Sequence, residues 1–265
     1  MLSTLTLSLA LCVCPVQDDE PPLPSRETVE AALEDLEEAF ESDESEVRAA
    51  AVERNSLVDH PDVIEFLLDS FDDESEEVVA QCIGALRWLE HPDALEGLHA
   101  KLRRDKRLRR NHELYASLIQ AIGQHASEDS IELLKDDLFK IEERAVVRAR
   151  VLSLAHIRTP DALEAVMGAM KKAGERKVRP YMPEFRLALM VLTGVDRGLA
   201  QQEWVDWWND NKREFELPEE APSLPRTQSQ QWNRFWGYDY DMGRGTRREN
   251  RGNDPEGGPP PDDAR

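Results

Sequence analysis

Residues 46–71 read EVRAAAVERNSLVDHPDVIEFLLDSF, and the apolar spacing of this stretch recurs along the chain. A break at 60–62 divides it into two segments, each with apolar residues three or four positions apart, the spacing of one face of an α-helix. We define a column as the equivalent residue of successive units. Five apolar columns recur at the same steps of 31, 36 and 32 residues: Val47, Val78, Leu114, Val146; Val52, Ile83, Ile119, Val151; Ile64, Leu95, Ile131, Leu163; Leu67, Leu98, Leu134, Val166; Phe71, Leu102, Leu138, Met170. This register predicts an all-α fold, an α-solenoid of stacked antiparallel helix pairs.

The two ends of the repeat array are predicted to be capped. The last three columns extend backwards by 31 residues onto Leu33, Leu36 and Phe40, which indicates a single helix over 26–40. After a last repeat helix at 183–192, Trp204 and Trp208 stand four residues apart and can share one buried face. We interpret this Trp-rich helix as a hydrophobic cap, with an aromatic ligand pocket as the alternative. The solenoid then covers 26–217 in about five units.

The break between the two helices of each unit also recurs, at the same steps of 31, 36 and 32 residues. It reads His60-Pro61-Asp62, His91-Pro92-Asp93, Ser127-Glu128-Asp129 and Thr159-Pro160-Asp161. Ser and Thr are good helix N-caps, and Pro and then Asp suit the first helical turn.

These breaks, the pattern Asp43-x-x-x-Val47-Arg48-x-x-Ala51 and the Leu-rich second helix resemble the HEAT-repeat family. The resemblance is to the short units of about 30 residues first associated with phycobilisome lyases, in their exported bacterial form, and it covers about residues 27–217. It implies a right-handed superhelix that binds proteins. The repeat by itself implies no lyase activity.

The N-terminal residues predict export. Residues 2–16 carry no charge and have the length of the apolar core of a signal peptide, so we expect a leader over 1–17 and a linker over 18–25. A lipid anchor at Cys12 or Cys14 and a disordered or uncleaved tail are the alternatives. Removal of the leader leaves Cys82 alone, which excludes a disulfide framework within one chain.

Composition changes after Pro218. Residues 218–265 are rich in Pro and Gly and are predicted to form a disordered tail. Within it, the aromatic segment 230–244 contains Trp232, Phe235 and Trp236 as candidate partner-binding residues. Whether this segment docks on its own solenoid or on a partner is left open by the sequence.

Charge is unevenly distributed. Residues 18–77 hold 23 acidic residues and three Arg, a net charge of −20 out of −21 for the whole chain. By contrast, the third joint between units is basic, as is the fifth at 171–179. We define the basic joint as residues 101–110 and take its cations as candidate partner-binding residues: Lys101, Arg103, Arg104, Lys106, Arg107, Arg109 and Arg110. They indicate either a solvated polar edge of the solenoid or a site for a protein partner with an acidic surface. The net charge and the lack of a recognition motif argue against nucleic acid.

No catalytic or cofactor motif is present in the sequence. There is no His-Glu-x-x-His, no Gly-x-Ser-x-Gly, no phosphate-binding Gly loop and no calcium-binding loop, so we expect no cofactor and no metal. No stretch of the sequence has the length and apolarity of a membrane span. The function predicted is a non-catalytic protein–protein interaction scaffold of undetermined oligomeric state. Two alternatives remain: a lyase or hydrolase that uses the solenoid groove, and a structural element of a cell-envelope assembly.

Overall fold

The computed structural model describes residues 24–136 and 138–238, and within those ranges it contains helices and turns but no strand. The predicted leader 1–17, most of the linker and the tail beyond 238 lie outside the described residues. The helices are α1 (Arg26–Phe40), α2 (Ser45–Asn55), α3 (Pro61–Asp69), α4 (Glu76–Leu86), α5 (Pro92–Arg104), α6 (Lys106–Arg110), α7 (His112–Gln124), α8 (Ile131–Lys135), α9 (Arg144–Ile157), α10 (Pro160–Ala173), α11 (Glu175–Val178), α12 (Met182–Thr193), α13 (Gln201–Asn211) and α14 (Arg226–Trp236).

The helices form two layers. The first layer stacks α2, α4, α7, α9 and α12 in chain order, and neighbours in this series pack directly on one another. In the second layer α1 packs on α3, α3 on α5, α8 on α10 and α10 on α13, whereas α5 and α8 pack less closely. The predicted α-solenoid is therefore confirmed, with one loosened position in its second layer.

The recurring breaks work as helix caps. The Nδ1 atoms of His60 and His91 accept hydrogen bonds from the backbone N–H groups of Asp62 and Asp93, both at 3.3 Å. At the equivalent position of a later unit, Thr159 Oγ1 accepts from the N–H of the third residue along at 3.2 Å. Histidine thus takes the role that Ser or Thr usually fills, which explains why it recurs there.

The repeat register locates most of the core, with one error. Val47 is 39% exposed, although its equivalents Val78 and Val146 are buried. In the first unit the inward position belongs to Arg48, whose Nε and Nη2 donate to the Asp73 carboxylate at 2.8 and 2.9 Å. Both side chains are buried; despite the cost of burial, the guanidinium and the Ser75 N–H hold the pKa of Asp73 below its ordinary value.

The C-terminal end of the array is closed by tryptophans. Trp204, Trp207 and Trp208 of α13 are buried, and Trp204 Nε1 donates to the carbonyl of Gly198 at 2.9 Å. Phe215 packs edge-on against Trp207, with ring centroids 5.4 Å apart. The arrangement is a filled apolar cap.

The region predicted as a disordered tail contains an ordered helix. Residues 226–236 form α14, a helix that composition alone does not predict. Before it, the Arg158 Nη2 atom donates to the carbonyls of Pro218 and Glu220 at 2.7 and 3.0 Å, which fixes the connecting segment. Order here depends on distant residues of the solenoid, which local composition does not report.

Candidate interaction site

The basic joint contains the residues that lengthen one step of the repeat to 36 residues. They fold into α6, which Asp105 caps by accepting hydrogen bonds from the N–H groups of Arg107 and Leu108 at 2.8 and 2.9 Å. Leu108 is buried. The Arg107 guanidinium donates to the carbonyl of Asp73 at 2.6 Å and to that of Phe71. Arg107 therefore ties the third joint to the second.

The other cations of the basic joint are differently placed. Arg103, Arg104, Lys106 and Arg110 are exposed. The remaining two are half-buried: Lys101 Nζ lies 5.3 Å from the centre of the Phe71 ring, and Arg109 lines a small pocket discussed below.

One of these exposed arginines borders a cleft in the second layer, which we call the cationic cleft. It has a volume of about 850 Å³ and lies between α8 and α10 beside the end of α5. Arg103 from the third joint meets Lys172 and Lys177 from the fifth here, as expected if equivalent joints share one edge of a solenoid. Among residues 24–136 and 138–238 the lining is Arg103, Glu132, Leu133, Lys135, Asp136, Leu138, Phe139, Lys140, Ala169, Lys172, Ala173 and Lys177. These described residues supply five cations and two carboxylates, a net positive charge.

Three of the five cleft cations, Lys135, Lys140 and Lys177, already have partners, and two do not. Lys135 pairs with Glu132, and Lys177 Nζ lies 3.0 Å from the Glu142 carboxylate. Arg103 and Lys172 make no hydrogen bond or ion pair within 24–136 and 138–238. These two side chains can therefore pair with a ligand without breaking an internal bond.

The aromatic candidates lie against the other layer. Trp232 and Trp236 of α14 pack on the His156 ring, with centroid separations of 5.9 and 4.3 Å, and Arg148 lies 5.2 Å from the centre of the Phe235 ring. Trp236 is fully buried. The two sets of candidate residues are thus on different layers and do not form a common site.

Polar groups of the first layer hold the end of α14. Arg87 Nη2 donates to the carbonyl of Trp236 at 2.6 Å, and Gln120 Nε2 donates to that of Phe235. These are carbonyls of the last turn of a helix, which have no partner within it. Burial, and to a lesser extent the charge of Arg87, lowers the pKa of His156 to about 4. The imidazole beneath α14 is therefore neutral at neutral pH.

A buried histidine–serine pair joins α5 to the turn before α8. His99 Nε2 lies 2.9 Å from Ser130 Oγ, and both residues are buried. Such a pair has the atoms of a base and a nucleophile. Neither residue lines the cationic cleft, and Ser130 is 0% exposed, so the hydroxyl has no access to substrate in this conformation.

The described residues offer little to a metal or a membrane. Within 24–136 and 138–238, no three His, Cys, Asp or Glu side chains are grouped so as to hold a metal ion. None of the helices in those same ranges combines the length and apolarity needed to cross a bilayer. Cys82 is buried, and desolvation raises the pKa of its thiol to about 12.

Comparison with known families agrees with the helical repeat. Residues 33–116 match the family model for HEAT repeats, from α1 into α7. The match supports a HEAT-repeat family for this chain. No curated protein matches it.

Proposed function

We propose that this protein is a non-catalytic interaction scaffold whose cationic cleft binds an acidic segment of another protein. The observation that carries the proposal is the unpaired state of Arg103 and Lys172 in a positive cleft of a chain with a net charge of −21. A net-negative protein that keeps uncompensated cations together in one concave place favours an anionic ligand there. HEAT repeats commonly mediate protein–protein interaction, which agrees with this role.

The shape of the cleft favours a polypeptide over a compact cofactor. Its lining combines charged side chains with the apolar Leu133, Leu138 and Phe139. An extended or helical acidic segment can bury its apolar side chains against these three residues while its carboxylates pair with the cations. The uncharged leader predicted at 1–17 supports a partner outside the cytoplasm.

Charge reversal tests the proposal. Fluorescent poly-glutamate serves as the probe, titrated against the native chain, Arg103→Glu/Lys172→Glu, and the matched control Arg197→Glu/Lys212→Glu, which reverses two exposed charges elsewhere. We expect the cleft variant to bind roughly tenfold more weakly and with a shallower salt dependence, since partly exposed ion pairs contribute about 0.2–1 kcal/mol each. Equal affinity of the two variants would contradict the proposal.

Two alternatives have their own tests. A lyase or hydrolase using the cleft would need an accessible nucleophile or base, and a reactive-probe screen of the native chain would label it. A structural element of an envelope assembly would sediment with envelope fragments independently of Arg103 and Lys172.

A further inference from the structure

One position in the first layer departs from the repeat. Arg150 of α9 stands in register with Ala51, Cys82 and Leu118, all three of which are fully buried. Arg150 itself is only 6% exposed. A charged residue at a core position is unfavourable unless hydrogen bonds compensate it. The three equivalent units form their helix pairs with a small or apolar residue there, so the repeat itself does not require the arginine.

The guanidinium of Arg150 ends α8. Its Nη1 atom lies 2.9 Å from each of the carbonyl oxygens of Leu133, Leu134 and Asp136, and α8 stops after five residues. The second helices α5 and α10 run for 13 and 14 residues. By taking the carbonyls of the last turn, Arg150 stabilises an early end to this helix. The shortened helix leaves the room that the cationic cleft occupies.

The same guanidinium also contacts a buried tyrosine hydroxyl. Arg150 Nη2 donates to Tyr115 Oη at 3.3 Å, and Tyr115 is 2% exposed. The oxygen accepts this bond, and its own hydrogen has no acceptor among residues 24–136 and 138–238. A buried hydroxyl that keeps a hydrogen to donate, next to a cation, suits an anionic acceptor.

Both residues line a small pocket at the end of the cleft, which we call the Tyr115 pocket. Its volume is about 150 Å³, and Arg103 and Arg109 also line it. Among the lining residues that the structure describes, Asp136 is the sole carboxylate, against Arg103, Arg109, Arg150 and the already engaged Lys140. At about 30 Å³ per water molecule the space holds about five waters, enough for one carboxylate or phosphoryl group and too little for a nucleotide.

We propose that the Tyr115 pocket is an oxyanion-binding site that receives one carboxylate or phosphoryl group from the segment lying in the cationic cleft. Arg103, Leu133 and Asp136 line both cavities, so the pocket adjoins the cleft. This inference rests on the proposed function for the origin of its ligand. The oxyanion accepts from the Tyr115 hydroxyl and pairs with the guanidinium groups of Arg103 and Arg109.

Inorganic phosphate is the first probe, with binding followed by ³¹P line broadening at constant ionic strength. Tyr115→Phe keeps the ring and leaves the three carbonyl bonds of Arg150 in place, so it removes only the hydroxyl, which donates to the oxyanion and accepts from Arg150 Nη2. We expect Tyr115→Phe and Arg109→Gln each to weaken phosphate binding roughly fivefold, the effect of one hydrogen bond or ion pair. Arg104→Gln, from the same joint but outside the pocket, serves as the control and should bind within about twofold of the native chain.

The source of the group is decided by two matched peptides, one acidic peptide with a central glutamate and the same peptide with phosphoserine there. The peptide whose affinity for the protein falls on Tyr115→Phe identifies the group that the pocket binds. If phosphate and both peptides bind the Phe variant as tightly as the native chain, the pocket is not an oxyanion site. If reversal of Arg103 and Lys172 abolishes poly-glutamate binding while phosphate and both peptides bind the Phe variant as tightly as the native chain, this inference is overturned and the proposed function stands. Tyr115-dependent phosphate binding without poly-glutamate binding would do the reverse.

Discussion

Gly123 lies where α7 and α9 approach most closely, and Gly123→Ala should destabilise the fold. A Cβ atom there would lie 2.2 Å from Ser153 Oγ, 2.4 Å from its Cβ and 2.9 Å from its Cα. Since the last of these is a backbone atom, rotation of the serine side chain cannot relieve the overlap. The two helices would have to separate, and the bond from Ser153 Oγ to the carbonyl of Ile119, 3.1 Å long, would be strained.

The size of the effect follows from opposing contributions. Overpacking of a core costs about 1–3 kcal/mol, and disturbing a buried hydrogen bond adds about 1 kcal/mol. Alanine in place of a helical glycine returns about 0.5–1 kcal/mol. We therefore expect Gly123→Ala to lower the free energy of unfolding by about 2 kcal/mol.

Urea unfolding followed by circular dichroism measures this, with Gly168→Ala as the matched control. Gly168 is also helical, but a Cβ atom there meets nothing within 4 Å, so alanine should stabilise by about 0.5–1 kcal/mol. A second variant, Gly123→Ala with Ser153→Gly, removes the obstructing side chain and should recover part of the loss. If Gly123→Ala and Gly168→Ala shift the urea midpoint in the same direction, the close packing of α7 on α9 is refuted.

Three further predictions concern the core and α14. Leu98→Ala and Leu134→Ala, at fully buried positions, should each lower the free energy of unfolding in urea by about 2–5 kcal/mol. Leu57→Ala, at a position that is 85% exposed, should change it by less than about 0.5 kcal/mol. Equal effects would mean that the register is wrong. Hydrogen exchange should show α14 protected in the native chain and unprotected in Trp236→Ala, and exchange of native α14 within seconds would contradict its docking. The pKa of His156 is about 4 when α14 is docked and returns towards the ordinary value of 6.5 when α14 is undocked. As the pH falls from 6.5 towards 4 the undocked form is protonated first, so α14 docking should weaken. His156→Phe should reduce that pH dependence.

The sequence predicted the repeat because apolar side chains recur in phase, as Ile64, Leu67 and Phe71 show. It placed Val47 in the core wrongly because an apolar column does not reveal that its neighbour Arg48 has a buried acidic partner 25 residues away. It missed α14 as a helix because the residues that hold it, Arg87 among them, are polar and distant in the chain. In each case the deciding interaction is a long-range polar contact.

One part of the candidate site could be predicted from the sequence, and another part could not. The basic joint was found from its charge, and the register implied that it shares an edge with the cations at 171–179. The Tyr115 pocket was missed, although reading one more column would have placed Arg150 against Ala51, Cys82 and Leu118. A charged residue in an otherwise small or apolar column is a sequence signal for a departure from the repeat.

Docking of α14 has a mechanical consequence. A solenoid whose units contact only their neighbours peels apart from either end, one unit at a time. Here the bond from Arg87 to Trp236 joins residues 149 positions apart, so the end of α14 is tied back to the second unit. Tension applied through the C-terminus is therefore transmitted to α4, α7 and α9 together. Under force the array should unfold in one larger step, whereas an array without this bond would unfold in several small steps.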